Sequence, residues 1–185
     1  MTKNKNMTIY RYKTEQTKKL NLKEKSKVLS LVICELLKDN KDPKTELKYT
    51  NIFTLLVAVM LSAQTTDRNV NKATDVLFKI VHNPSDIVAM GYEKLLDYIK
   101  TINYCKTKAK NIIKTSEILI QKHNSEVPSD FDSLISLSGV GRKTGYVVMI
   151  EGFNKNVMPV DTHVARVSQR LYLTDNKNPD KISQD

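Results

Sequence analysis

The sequence predicts an all-α protein, on three observations. Alternating apolar–polar stretches of the kind strands need are nearly absent. Apolar residues instead recur at helical spacing in several separate runs, among them Val28–Lys38, Asn51–Gln64 and Lys106–His123. Between them stand breakers such as Pro43, Gly91 and Pro128, which punctuate helices.

In chain order, residues 1–27 carry nine basic side chains against Glu15 and Glu24, which is +7 of the chain's net +10. This segment is poor in apolar residues and reads as a flexible basic arm, either a solvated tail or an added source of counterion-release affinity for nucleic acid. It is rich in Lys and Asn, not Arg and Ser, which argues against an organellar targeting peptide. Residues 28–172 form the helical domain. Val28–Lys38 is amphipathic. Asn51–Gln64 is apolar on nearly every side and belongs at the centre of a bundle. Asp67 is placed to cap a helix over Val70–Val81. Pro84–Met90 and Glu93–Thr101 are short helices separated by Gly91. The turn Ile102–Lys106 leads into the long helix Lys106–His123, whose Lys106, Lys108, Lys110 and Lys114 form a basic patch that reads either as a solvated face or as a phosphate contact. Asp130–Leu137 precedes a glycine turn, and Val164–Leu171 follows it. Residues 173–185 read as a polar tail.

Composition excludes several classes of function. Outside the arm the charge is close to balanced, so affinity for nucleic acid has to come from a local patch and not from the global field. No run approaches the ~18 apolar residues of a membrane span. The two cysteines, Cys34 and Cys105, make neither a disulfide framework nor a metal site, and point to a reducing compartment.

The chemistry concentrates in Leu134–Arg166. Gly139-Val140-Gly141 is a tight bend between two helices, and glycine supplies the positive φ and the absent side chain that such a bend needs. The amides of a bend and of the following helix start form a natural phosphate site. The Walker spacing is missing, so a polymer phosphate is a better ligand than a nucleoside triphosphate. Arg142 and Lys143 follow at once, and Asp161 comes eighteen positions later, after Pro159-Val160. An amine and a carboxylate near bound DNA suggest Schiff-base chemistry at a sugar carbon. The residues alone favour the plainer reading, a phosphate-contacting lysine and an aspartate that caps the next helix.

Leu137–Thr144 (LSGVGRKT) together with Val160–Val167 (VDTHVARV) resembles the endonuclease III family of helix-hairpin-helix DNA glycosylases with AP-lyase activity. Leu61–Asp67 (LSAQTTD), Asn69–Thr74 (NVNKAT), Tyr98–Ile102 (YIKTI) and Lys108–Ile113 (KAKNII) match the same family, so the likeness runs from about Val28 to about Leu171. The resemblance implies a six-helix barrel domain with its hairpin at residues 137–144, Lys143 and Asp161 as catalytic residues, and a glycosylase for oxidised pyrimidines in duplex DNA. It implies DNA contacts at Gly139, Val140, Gly141 and Arg142, with Lys108 in the basic patch beside them. Gln64 would fill the gap left by a flipped nucleotide, where a plain helix-end amide is the other reading. Tyr104 would stand at a wedge position usually held by an aliphatic residue, behind Asn103 in place of the usual glycine, and a surface aromatic with no task is its alternative. Ser138 replaces a common proline and is expected to loosen the turn slightly. Family members continue with further helices and a four-cysteine iron–sulfur loop. Those ligands are absent here, so the expectation is no cofactor, an incomplete second lobe, and exposed apolar surface on the Val28–Lys38 and Val164–Leu173 helices. The implied partner is double-stranded DNA with a damaged or abasic nucleotide. The implied state is a monomer, with self-association through the exposed helices as the alternative. The implied location is the bacterial cytoplasm, or a nucleus or organelle in a eukaryote. Two other functions stay open: a helix-hairpin-helix DNA-binding module with impaired catalysis, and a glycosylase of different base specificity.

Overall fold

The computed structural model describes residues 20–41 and 43–185. The described residues are helical throughout, without strands, and form two compact units. One is Lys44–Pro159; the other combines the N-terminal helix with Val160–Asp185.

The larger unit is built around α2 (Ile52–Ser62; α1 is Leu22–Asp39, in the other unit). Asn51 caps α2 reciprocally with Thr54, satisfying two end donors that would otherwise lack partners. Every residue from Phe53 to Leu61 is buried, as an all-round apolar helix demands. Each fully buried leucine or valine there removes enough apolar surface from water to stabilise the fold by about 1.5–3 kcal/mol. Around α2 lie α3 (Asp67–Leu77), α4 (Pro84–Ile99), α5 (Cys105–Lys122), α6 (Phe131–Ser136) and α7 (Arg142–Phe153). Gly152 lets α7 approach α2 closely: a Cβ there would lie 3.2 Å from both Ile52 and Leu55 side-chain carbons. Gly91 has φ 75° and kinks α4, so the two short helices of the sequence reading are one element with a break at that glycine.

Several boundaries differ from the sequence reading. The cap of α3 is Thr66, and Asp67 is the first helical residue, where its charge favours the positive end of the helix. Helix α1 starts at Leu22, six residues earlier than expected, because Asn21 and Glu24 form a capping box inside the segment read as flexible. The rest of the basic arm lies outside the described residues.

In the smaller unit, α8 (Thr162–Arg170) is followed by α9 (Pro179–Gln184), which packs against it. The expected polar tail is therefore partly helical: Asn178 caps α9, Pro179 opens it, and Ile182 is buried. Asp185 holds this end down by accepting hydrogen bonds from Thr174 and Asn176, which keep its carboxyl below the ordinary aspartate value. No residue of α1 is buried. Leu31 and Leu36 are 63% and 64% exposed, and Val167 on α8 is also exposed, so both helices carry the open apolar surface their sequences suggested.

Candidate active site and nucleic-acid interface

The hairpin forms for reasons that start with α6. Asp130 caps this short helix by accepting the Ser133 amide hydrogen at 2.9 Å, and that bond holds its carboxyl below the ordinary range. The chain then turns through Leu137–Gly141. Gly139 takes φ +76°, and a Cβ on it would lie 2.6–2.8 Å from the Asn111 side chain, so both backbone conformation and space require glycine. Gly141 is different. Its φ is −84°, and a Cβ would meet nothing within 4 Å. The missing side chain at Gly141 leaves open space outside the fold, where a ligand's backbone can approach.

Two residues of α5 clamp the turn. Thr115 donates its hydroxyl to the Ser138 carbonyl at 2.8 Å, and Ser138 donates its own to Asn111 Oδ1 at 3.2 Å. Ser138 thus gains a side-chain anchor that a proline cannot make, and the loosening expected from its sequence is countered. Asn111 and Thr115 were not singled out by sequence. Their helical spacing of four residues, on the face pointing at the turn, was the available signal.

Beyond the turn, α7 begins at Arg142. Its hydrogen-bond ladder opens with the Gly145 amide to the Gly141 carbonyl at 2.9 Å. Phe131 on α6 stacks on Tyr146 of α7 with ring centroids 4.5 Å apart, and the Arg142 guanidinium sits 4.8 Å over the Phe131 ring. The two helices of the hairpin are locked by this aromatic pair, with Gly145 lying against Ile135, Phe131 and Leu134. Arg142 and Lys143 stay exposed in the first turn of α7. Val140 departs from the expectation. Its side chain is buried and its amide donates to the Leu137 carbonyl at 3.2 Å, so it closes the turn from inside and does not offer that amide to a ligand.

Asp161 belongs to the other unit, where it is the N-cap of α8. Its Oδ1 accepts the amides of His163 and Val164, each at 2.9 Å. The capping reading of this residue is therefore realised in the fold.

Gln64 and Tyr104 are both exposed and both left-handed, with φ 55° and 59°. Tyr104, not Asn103, carries the positive φ of its turn. Lys108 also departs from expectation. It is 8% exposed, and its Nζ donates to the Leu61 carbonyl at 2.8 Å, the Ala63 carbonyl at 2.6 Å and the Thr65 hydroxyl at 3.3 Å. Three ammonium hydrogens meet three acceptors. Lys108 therefore ties down the end of α2 and is no phosphate contact; burial lowers its pKa. Lys106, Lys110 and Lys114 remain as the exposed basic edge of α5.

An iron–sulfur cluster does not fit the residues present. The chain has two thiols, on different units, and the described residues contain no group of three or more His, Cys, Asp or Glu able to hold a metal. No helix among them is long and apolar enough to cross a membrane.

Comparison with known proteins places this helical bundle and its glycine hairpin in a class of DNA-repair proteins. Residues 57–185 match the HhH-GPD superfamily of base excision DNA repair proteins. A thermostable thymine-DNA glycosylase shares the fold at TM-score 0.76 and 22% identity, covering 86% of this chain and 76% of its own. A trapped endonuclease III–DNA covalent intermediate superposes at TM-score 0.77 with 41% identity, over 85% of this chain and 75% of that one. Endonuclease III of Haemophilus influenzae is 45% identical over 83% of this chain and 72% of its own length. That of Escherichia coli K12 is 43% identical over the same shares. The chain belongs to the endonuclease III family.

Proposed function

We propose that this chain is a base-excision-repair DNA glycosylase with AP-lyase activity that removes oxidised pyrimidines from duplex DNA. The observation that carries this reading is the hairpin itself. Gly139, wedged against Asn111 at φ +76°, sets the bend from which α7 starts, and Lys143 stands exposed in the first turn of that helix.

In this reading the bend around Gly141 takes a phosphate of the damaged strand, and Arg142 and the basic edge of α5 add charge. Gln64 and Tyr104 occupy the space left by the extruded nucleotide. Lys143, as the neutral amine, attacks the sugar C1′; the C1′–N bond breaks and the base departs with a proton. Asp161 is the carboxylate that the family pattern pairs with this amine, easing positive charge on the sugar and taking a proton from the attacking nitrogen. The nitrogen lone pair then expels the ring oxygen: the C1′–O4′ bond breaks, O4′ takes a proton, and the opened sugar is held as a protonated Schiff base; removal of a C2′ proton breaks the C3′–O bond, and the strand opens 3′ to the lesion. No step needs a metal or a redox partner.

A duplex carrying one oxidised pyrimidine tests the assignment. The protein is expected to release the base and nick the strand, and Lys143→Ala is expected to abolish both. Salt-sensitive binding of equal strength to damaged and undamaged duplex, without base release, would support instead a DNA-binding module that does no chemistry.

A further inference from the structure

Between the end of α2 and the start of α5, two turns that are far apart in sequence are fastened to each other. Each presents an exposed residue in a left-handed conformation, Gln64 at φ 55° and Tyr104 at φ 59°, which few L residues adopt. Two side chains from the second turn and its helix hold the first turn in place. Lys108 holds the Leu61 and Ala63 carbonyls and the Thr65 hydroxyl. Asn103 donates its amide Nδ2 to the Gln64 carbonyl at 2.6 Å. The chain from Leu61 to Thr65 is thus fixed at four oxygens by groups from the other turn and its helix. Asn103 stands where the family commonly has glycine, so its link to Gln64 depends on a side chain that glycine does not supply.

We propose that Asn103 and Lys108 are positioning residues that join the Gln64 and Tyr104 turns into one preformed two-pronged wedge, so that both prongs enter the duplex as a unit. This rests on the reading that these prongs fill the space of an extruded nucleotide. Neither residue touches the reacting sugar. Their effect is to fix the Gln64 turn against the Tyr104 turn before DNA arrives, which removes an ordering cost from binding. Single-stranded abasic DNA has no stack to open, so the wedge is idle on it.

The test compares cleavage of an abasic site in duplex and in single-stranded DNA by wild type, Asn103→Ala and Lys108→Met. Asn103→Ala loses only one exposed hydrogen bond and is expected to fold as wild type. Its KM on duplex is expected to rise roughly three- to tenfold, as loss of one such bond implies, with kcat and single-strand cleavage unchanged. Lys108→Met leaves buried carbonyls without their charged donor and is expected to lose roughly ten- to a hundredfold on duplex. A second readout needs no chemistry: 2-aminopurine beside a non-cleavable abasic analogue reports stacking by its emission, and the emission change on saturating binding should shrink in both variants. Equal duplex-to-single-strand ratios in wild type and Asn103→Ala, with the same emission change, would overturn the proposal. Wild type that changes 2-aminopurine emission without cutting either substrate would refute the lyase reading and leave the wedge to be judged by the emission of the variants.

Discussion

Replacing Gly139 with alanine strikes the hairpin at the point where its conformation and its packing coincide. The backbone at φ +76° costs an L-residue about 1–2 kcal/mol. The new methyl would overlap Asn111 Nδ2, Cβ and Cγ at 2.6–2.8 Å. Asn111 Cβ cannot swing aside, because it is fixed to the backbone of α5, so the turn itself must move. Overpacking of that kind costs about 1–3 kcal/mol. The sum, roughly 2–5 kcal/mol, corresponds to a fall in Tm of about 4–20 °C for a chain of this size. Because the turn moves, the Thr115 and Ser138 bonds should weaken, and affinity for a duplex with an abasic analogue should fall with them. Thermal denaturation and fluorescence anisotropy measure the two effects. A double-mutant cycle with Asn111→Gly separates the causes, since removing the Asn111 side chain relieves the overlap but not the φ cost. The pair should be less harmful than the sum of its parts by about 1–3 kcal/mol. A Gly139→Ala protein with wild-type Tm, or strict additivity in the cycle, would refute this account of the turn.

Three further outcomes are expected. Asp161→Ala removes the cap of α8 and should destabilise the protein by about 0.5–2 kcal/mol, whereas Asp161→Asn keeps an oxygen for the same amides and should retain Tm while losing base release; equal Tm loss in both would contradict the separation of roles. Asp130 is held below its ordinary pKa chiefly by its bond to the Ser133 amide, so its contribution to stability is full above the unfolded value near 4 and is lost as pH falls through the lower folded value; Asp130→Asn should flatten that part of the stability–pH curve, and an unchanged curve would count against it. Were the protein to self-associate through its exposed helices, paired substitution of Leu31 and Leu36 by lysine should lower that association in light scattering without lowering Tm, because neither side chain is buried; association unchanged by the pair would place the contact elsewhere.

Sequence reasoning reached the bundle's central helix and the hairpin because their signals are local. An apolar run such as Phe53–Leu61 admits one burial pattern, and a Gly-Val-Gly bend followed by Arg-Lys has few conformations. The errors came where a residue's fate is decided by partners distant in sequence. Lys108 looks like Lys106 and Lys110 in the sequence, yet three oxygens 43–47 positions away draw it inward. Val140 looked like one more amide donor until its own turn used that amide. Ser138 looked like a weakened proline, and its compensation sits on a helix 27 positions upstream. At the N-terminus the miss was local: the Asn21–Glu24 capping box was legible, but the surrounding lysines hid it.

In the proposed mechanism Lys143 forms the covalent bond to DNA. Borohydride reduction during reaction with abasic duplex, followed by peptide mapping of the cross-linked protein, tests it directly. One adduct is expected, on Lys143, lost in Lys143→Ala although that variant still binds the duplex. An adduct on another amine, or trapping that persists in Lys143→Ala, would contradict it.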